Sequence, residues 1–197
     1  QEYKAVLLSL RNRLNQKMNA IHDLSFYPEN HMVKHALDDG IKFGQTHAEE
    51  IRLLQQTANL ALLPFGQAEE NIRRALNHDS PLVRYWAFTV CSSYGVKAKS
   101  LLKNTESRLN DPDPLVRVRA AEFLALVSGQ DPRPTFYQVL NENHGELVSL
   151  ITLNAAVLFH DMKNGYPFDV SQLKDPDGRN EVKRRLDYLA GRLKQRK

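Results

Sequence analysis

The sequence predicts an all-α protein built from pairs of helices that are joined by tight turns. Two observations predict this class. A phrase that begins LNHDSPLVRYWAF at Leu76 returns as LNDPDPLVRVRAAEF at Leu109. A repeat period of about 33 residues is typical of stacked helical pairs. Apolar residues also recur at spacings of three and four through most of the chain, whereas no segment shows the alternation typical of a β-strand.

The chain starts with an irregular helical segment, which we assign to residues 1–45. An amphipathic helix is predicted over residues 2–21. Its apolar stripe comprises Val6, Leu7, Leu10, Leu14 and Met18. Pro28 is expected to open a second, short helix that Gly40 closes. Residues 46–197 form the predicted repeat domain, which starts with a helix over residues 46–63.

Each repeat is expected to begin at a helix cap. The Asp113 carboxylate can accept the free N–H groups of a first helical turn, and Pro114 suits the first helical position because no N–H is needed there. Ser80 and Pro81 take the same places in the earlier copy. After the cap, one helical face of each copy is apolar or small: Val83, Ala87, Val90, Cys91 and Tyr94; Val116, Ala120, Phe123, Leu124 and Val127; Val148, Thr152, Ala155, Ala156 and Phe159.

A shorter helix is predicted ahead of each copy. The three segments read QAEENIRRALNHD, KAKSLLKNTESRLND and RPTFYQVLNEN. Residues 164–178 read as a loop because of their Pro and Gly content, and a final helix is predicted over residues 179–196. A single helical pair cannot bury its apolar face, so we expect the pairs to stack on one another.

The phrase DPDPLVRVRAAEFL resembles the short HEAT-like repeats, in which an Asp-Pro turn precedes Val-Arg and paired alanines. Arg84 and Arg117 match the arginine of that pattern, whereas the third copy has Ser149 there, so a continuous ladder of Asp–Arg pairs is not predicted. The resemblance implies a right-handed α-α superhelix. The sequence patterns of tetratricopeptide and ankyrin repeats, which have similar periods, are not found.

A second resemblance lies nearer the N-terminus. Residues 10–36 resemble the end of the catalytic domain in bacterial sulfatases, where a basic amphipathic helix leads into Asp-Leu-Gly-Phe-x-Pro-Glu; here the phrase is DLSFYPE, from Asp23. In a subset of those enzymes A-x-L-A and then HEAT-like repeats with Val-Arg-Tyr-Trp-Ala follow. This chain has ANLA from Ala58 and VRYWA from Val83. It therefore resembles the C-terminal region of a formylglycine-dependent sulfatase, of the arylsulfatase or N-sulfoglucosamine sulfohydrolase kind.

The sulfatase chemistry itself is missing from this chain. Those enzymes carry Cys or Ser followed by x-Pro-x-Arg, and here Cys91 is followed by Ser93 and Gly95 at the places that need Pro and Arg. We therefore expect no catalytic, cofactor-binding or metal-binding residue and no enzymatic activity in this chain alone. The resemblance implies calcium and formylglycine in the absent catalytic domain only, and a periplasmic or extracellular parent protein. No signal peptide is recognised in QEYKAVLLSLRNRLNQ.

Some side chains allow a chemical interpretation beside a structural one. Cys91 can be read as a nucleophile or redox sensor, but it aligns with Leu124 and Ala156 on the predicted core face, so we expect a small core residue. His31 and His35 lie on one predicted helix, one turn apart, and could share a metal, although the pattern His-Glu-x-x-His is absent and zinc needs a further ligand.

The carboxylates of Asp111 and Asp113 could form an acid/base pair, but their place in a turn before a helix explains them without catalysis. Tyr85 and Trp86 fall outside the predicted core face. They are candidates either for packing on the preceding helix or for contact with the missing catalytic domain.

The final predicted helix combines an apolar stripe with a basic side. The stripe comprises Val182, Leu186, Leu189 and Leu193. The basic residues are Arg179, Lys183, Arg184, Arg185, Arg192, Lys194, Arg196 and Lys197, and only Glu181 and Asp187 oppose them. A closing helix with a solvated basic side is the simpler interpretation. The alternative is a surface for an anionic partner, either a sulfated glycan or nucleic acid. Nucleic acid is the less favoured, because only Tyr188 is interleaved with the basic residues.

The composition argues against an internal disulfide and a membrane span, and it leaves three functions open. The net charge is a mild +4 and the single cysteine excludes an internal disulfide, while no apolar run approaches the roughly 18 residues that span a bilayer. The preferred function is a non-catalytic repeat domain of a sulfatase, which packs on the catalytic domain, shapes the substrate cleft or sets oligomer contacts. A stand-alone protein-binding repeat is the alternative, and a nucleic-acid-binding repeat is the weakest.

Overall fold

The computed structural model describes residues 3–193, apart from the side chain of Asn104, and every regular element in that range is helical. The all-α prediction is confirmed. The α-helices are α1 (Lys4–Ala20), α2 (Glu29–His35), α3 (Gly40–Thr46), α4 (Ala48–Asn59), α5 (Phe65–Leu76), α6 (Pro81–Tyr94), α7 (Pro114–Ser128), α8 (Arg133–Asn141), α9 (Glu146–Asp161) and α10 (Asn180–Leu189). Short 3-10 helices cover Leu24–Phe26, Leu60–Leu62, Gly95–Asn104, Glu106–Asn110 and Val170–Gln172. The chain divides into two compact units, residues 1–59 and 60–197.

The first unit contains α1 to α4 around a small core. Its buried apolar residues are Tyr27, Ala36, Ile51 and Leu54. The prediction that Gly40 closes the second helix is wrong: α2 ends at His35, and Gly40 is the first residue of α3. The reason is a cap, because the Asp39 carboxylate accepts the N–H of Lys42 at 2.9 Å and so starts a new helix. The boundary expected at residue 45 lies inside α3.

The second unit is organised by the repeated phrase. Its long helices α6, α7 and α9 are here called second helices, because each follows a shorter helical segment. They carry the three predicted core faces. All residues of these faces are buried except Tyr94 and Val127, which are half-buried. α6 packs against α7, and α7 packs against α9. α5 lies ahead of α6 and packs on it, and α8 does the same for α9. These contacts bury the apolar faces that a single helical pair would leave exposed.

α10 resembles the second helices in its pattern of buried residues, although its sequence is not predicted above to be a copy. Val182, Leu186 and Leu189 are buried, and they repeat the spacing of Val148, Thr152 and Ala155 in α9. α10 packs against α9. Ahead of it, residues 162–179 take the place of a first helix and bury Phe168 and Leu173 in the same core.

The helix predicted over residues 46–63 is shorter, since α4 covers Ala48–Asn59 and a 3-10 helix follows at Leu60–Leu62. Two predicted helices that lie wholly in the second unit also differ in extent or type. The segment KAKSLLKNTESRLND forms 3-10 helix instead of α-helix, and it buries Ala98 and Leu101, whose spacing of three suits the 3-10 turn. The final helix, predicted to reach residue 196, ends at Leu189. Gly191 adopts a left-handed φ of 67°, and the N–H groups of Gly191 and Arg192 bond back to the carbonyls of Tyr188 and Asp187. This is a Schellman cap, which terminates a helix.

The two predicted caps also differ. Asp113 caps α7 as expected, since its Oδ1 accepts the N–H groups of Leu115 and Val116 at 2.9 and 3.1 Å. The same role predicted for Ser80 is wrong, because the Ser80 side chain makes no cap bond to α6. Arg84 stabilises that turn instead, through the contacts of its guanidinium with the turn carbonyls. Pro81 and Pro114 both occupy first helical positions, as predicted.

Candidate interaction surface

The apolar residues of α1 face solvent. They are called the α1 stripe here and comprise Val6, Leu7, Leu10, Leu14 and Ile21 at the helix end. Each is between 47 and 58% exposed, and no residue of Lys4–Ala20 is buried. Met18, the remaining residue of the predicted stripe, is half-buried. Leu8, which is 49% exposed, lies on another side of the helix. The five residues of the α1 stripe share one side, and contiguous apolar patches of this kind mark interaction surfaces.

A different side of α1 contacts the rest of the first unit. The Gln55 amide of α4 reaches the side-chain oxygen of Asn15 at 3.3 Å, and the Asn59 amide reaches the same oxygen at 3.2 Å. Asn15 directly follows Leu14, so on a helix its side chain projects about 100° away from that of Leu14. The contact between α1 and α4 is therefore polar, and it leaves the α1 stripe uncovered by unit 1.

The charges of α1 indicate what could cover the stripe. The helix carries Lys4, Arg11, Arg13 and Lys17 and no acidic residue. On a helical projection Arg11 and Lys4 lie on one edge of the stripe, and Arg13 and Lys17 lie at or near the other. A partner with an apolar groove between acidic edges would match this surface in both shape and charge.

Tyr85 contacts the following helix, α7, which is a partner that the sequence analysis did not propose. Its hydroxyl accepts a hydrogen bond from Arg119 Nη2 of α7 at 2.8 Å, and the Arg119 guanidinium lies 4.9 Å from the centre of its ring. Nη1 of Arg119 also donates to both oxygens of Glu122. Tyr85 therefore packs on the following helix, and a contact with another domain stays a prediction. Trp86 is half-buried, with its ring centre 6.1 Å from that of Tyr85.

Of the five described basic residues at and around α10, four are paired with Glu181 or Asp187. Arg185 contacts Glu181, and Arg184 lies 3.9 Å from the same carboxylate. Lys183 and Arg192 both pair with Asp187, at 3.3 and 2.8 Å.

Arg179, ahead of α10, is exposed. Lys194, Arg196 and Lys197 lie outside the described residues. The pairing lowers the net positive charge that this side presents, and an anionic partner here stays a prediction.

Arg84 and Arg117, which were predicted to be structural, each form an ion pair with a carboxylate of the segment that precedes the next second helix. Arg84 and Asp111 are buried and form a bidentate ion pair, with N···O distances of 2.8 and 2.7 Å. Arg117 pairs in the same way with Glu142. Because Asp111 holds Arg84 and Asp113 caps α7, both carboxylates of the DPDP phrase have structural roles.

Cys91 is completely buried, as its alignment with core residues predicts. Burial raises the pKa of its thiol to about 12. The reactive thiolate is therefore scarce at neutral pH, which disfavours a nucleophilic or redox-sensing role.

His31 and His35 of the first unit belong to an aromatic cluster that the sequence pattern does not predict. His31 stacks on Tyr27 with ring centres 4.7 Å apart, and the His35 ring lies 4.6 Å from that of His31. The Tyr27 hydroxyl donates to Glu50 at 2.6 Å. Burial, followed by the charge of His35, lowers the pKa of His31. Among the described residues, no group of three or more His, Cys, Asp or Glu side chains is placed to hold a metal ion.

The comparisons with known proteins add no family to this picture. No family model, curated protein or solved structure matches the chain. None of the described helices is both long enough and apolar enough to cross a membrane.

Proposed function

We propose that this chain is a non-catalytic helical-repeat domain of a bacterial sulfatase, and that it serves as a scaffold or interaction surface for the catalytic domain. The repeats of the second unit would form a HEAT-like, right-handed superhelix. Two features support this assignment. One is the recurrence of second helices whose arginines, Arg84 and Arg117, pair with a carboxylate ahead of the next second helix. The other is the order of the phrases DLSFYPE, ANLA and VRYWA along the chain. The parent protein would be periplasmic or extracellular.

The α1 stripe is the observation that carries the proposal. Burying one exposed leucine-sized side chain contributes about 1.5–3 kcal/mol, so five such residues can supply much of the free energy of a docking contact. The stripe runs directly into Ile21 and the DLSFYPE phrase, and this is the stretch that resembles the end of a sulfatase catalytic domain. The catalytic domain is thus the partner that the sequence itself suggests for the stripe.

The chemistry would belong to that partner. Formylglycine and calcium are proposed for the catalytic domain, and this chain would contribute position and shape. Cys91 is the single cysteine of the sequence, and its complete burial disfavours a role as a formylglycine precursor. We propose no catalytic residue in this chain.

The first experiment is to sequence the gene upstream of the codon for Gln1. The proposal expects a continuous reading frame that encodes an α/β domain with Cys or Ser followed by x-Pro-x-Arg. A start codon and signal sequence directly before Gln1, with no sulfatase core, would overturn the assignment. The stand-alone protein-binding module would then become the better interpretation.

The second experiment tests the surface with the upstream domain. That domain and this chain are produced as separate polypeptides and their association is measured by analytical ultracentrifugation. Leu14→Glu, in the middle of the α1 stripe, should weaken association by at least about 100-fold, because it buries an unpaired charge. Gln16→Glu is the matched control on the exposed polar side of the same helix, and it should change association by less than about threefold. Equal effects of the two variants would exclude the stripe as the contact.

A gel-shift assay with duplex DNA separates the third interpretation from the other two. At about 150 mM salt, weak electrostatic binding is largely screened. The proposal expects no retained complex under these conditions. Tight binding to DNA at this salt concentration would favour a nucleic-acid-binding repeat instead.

A further inference from the structure

In α6 and in α7 the fourth residue of the helix makes a contact between neighbouring copies. In α6 this residue is Arg84. Its Nε and Nη2 donate to the Asp111 carboxylate at 2.8 and 2.7 Å, and its Nη1 lies 2.7 Å from the carbonyls of His78 and Asp79. The arginine thereby ties its own turn to the turn that precedes α7.

In α7 the fourth residue is Arg117. Its Nη1 and Nη2 donate to the Glu142 carboxylate at 3.0 and 2.5 Å. Glu142 lies just ahead of α9, as Asp111 lies just ahead of α7. In both copies the carboxylate comes from the segment ahead of the next second helix, so the arrangement is a ladder.

In α9 the arginine is replaced by Ser149, and a cavity of about 260 Å³ lies beside this residue. Ser149, Asn143, Lys174 and Asp175 line its polar part. Asp175 lies in the segment that precedes α10, so it stands at the carboxylate position of the ladder. Asn143 precedes Ser149 by the same separation as His78 precedes Arg84. The cavity therefore lies at the place that an arginine side chain fills in α6 and α7.

The rest of the lining suits an alkyl chain. The apolar wall comprises Leu140, Leu153, Leu173, Val182 and Leu186. At about 30 Å³ for each water-sized group, a volume of about 260 Å³ accommodates a guanidinium with a short alkyl stem. Asp175 Oδ1 accepts the N–H of Gly178 at 3.1 Å, and Oδ2 accepts no hydrogen bond from the described part of the chain.

We propose that this cavity binds a guanidinium group, presented either by a small guanidino compound or by an arginine side chain of a partner. The planar cation donates to the Asp175 carboxylate, a pairing whose geometry favours guanidinium over other cations. The apolar wall contacts the alkyl stem. The site lies between α9 and α10, and its existence does not depend on the proposed association with a sulfatase.

Lys174 also lines the cavity, and its ammonium group could bind an anionic ligand in place of a guanidinium. Its Nζ donates to the Asn141 carbonyl at 3.3 Å, and among the described residues no ion pair joins it to Asp175. A ligand with a carboxylate would use Lys174 where a guanidinium uses Asp175. The test therefore compares n-propylguanidinium with butyrate and with the neutral n-propylurea, all of similar size.

The experiment is an NMR titration of the ¹⁵N-labelled chain that follows the backbone amides of Lys174 and Gly178. n-Propylguanidinium should shift them saturably, with a Kd on the order of 1–10 mM, which suits a ligand of this size. Butyrate and n-propylurea should bind at least about tenfold more weakly. Absence of saturation by n-propylguanidinium up to about 50 mM, well above the weakest expected Kd, or equal binding of the three probes, would overturn the proposal.

Two pairs of variants complete the test. Asp175→Asn should weaken n-propylguanidinium binding about tenfold, because a charge-assisted pair becomes a neutral one, whereas Asp177→Asn, a nearby exposed carboxylate outside the lining, should not. Ser149→Arg should abolish binding, because it fills the cavity, while Gln67→Arg on exposed α5 surface should leave it unchanged. Unchanged binding in Asp175→Asn overturns the proposal even if Ser149→Arg does not fold. A blocked arginine, N-acetylarginine methylamide, distinguishes the sources: its binding assigns the site to a partner's side chain, and binding of the small probe alone assigns a free guanidino compound.

Discussion

Helices α1 and α7 carry apolar residues with the same helical spacing and place them in opposite surroundings. In α7, Val116, Ala120, Phe123 and Leu124 are at most 2% exposed, whereas the residues of the α1 stripe are about half exposed. Periodicity therefore reports that a helix has an apolar side, and a neighbouring helix of matching pattern decides whether that side is covered. α7 has such neighbours in α6 and α9, whereas α4 meets α1 through its polar side.

The largest expected difference between the two helices is in the loss of unfolding free energy when one apolar side chain is truncated to alanine. Phe123→Ala should lower the free energy of unfolding by about 3–5 kcal/mol, because Phe123 is completely buried beside Phe88. Leu14→Ala should change it by no more than about 0.5 kcal/mol, because Leu14 is exposed. Urea denaturation followed by circular dichroism measures both, and Trp86, the single tryptophan, reports separately on the second unit. A loss in Leu14→Ala as large as that expected for a buried leucine would contradict the comparison.

The next effect concerns the ion pair that joins α6 to the copy that follows. Arg84→Ala leaves the Asp111 carboxylate, which is inaccessible to solvent, with only the more distant Arg108 as a charged partner. We expect a loss of about 3 kcal/mol, because a buried charge loses its compensation. Arg74→Ala is the matched control, since the Arg74–Glu70 pair is exposed and contributes about 0–0.5 kcal/mol. Similar urea midpoints for the two variants would show that the Arg84 pair does not stabilise the junction between copies.

A smaller effect separates the two helix caps. Asp113→Ala removes an acceptor from two N–H groups of α7 and should cost about 1 kcal/mol. Ser80→Ala should cost a few tenths of a kcal/mol at most, because the Ser80 hydroxyl makes no cap bond. Thermal unfolding of both variants measures the difference. Equal losses would mean that Ser80 also caps its helix in solution.

The sequence was sufficient for the helical class and for the core faces of three copies, because caps and spacing are local signals. It also contained the buried positions of α10, since Val182, Leu186 and Leu189 repeat the spacing of Val148, Thr152 and Ala155. This similarity was missed because residues 162–179, which precede α10, form a loop where α5 and α8 precede α6 and α9. The early end of α10 could have been read from Gly191, which favours a left-handed cap.

Other features depend on contacts between distant residues and could not be derived from local pattern. Tyr85 was expected on the preceding helix or on another domain, and only the structure shows Arg119 of α7 above its ring. The replacement of arginine by Ser149 was visible in the sequence, but the cavity beside it requires the positions of Asp175 and the leucines around it. The cluster of Tyr27, His31 and Glu50 likewise joins three elements of the first unit.

The smallest expected effect tests the second contact of the arginine ladder by pH. Hydrogen bonds from Arg117, His144 and Gln138 hold the pKa of Glu142 well below its usual range. Because the folded-state pKa is lowered, this carboxylate contributes stability above the ordinary glutamate pKa of about 4.3, and the contribution is lost as the pH falls toward the folded-state value.

Glu142→Gln removes that titration. The difference in unfolding free energy between the original chain and the variant should be constant from about pH 7 to 5 and should shrink below about pH 4.3. Since the side chain of Glu142 is 36% exposed, we expect no more than about 1 kcal/mol at the plateau. Urea denaturation at pH 7, 5 and 3.5 measures this difference. A plateau as large as the loss in Arg84→Ala would mean that exposure does not weaken the outer pair, and a difference that grows at low pH would contradict the sign of the linkage.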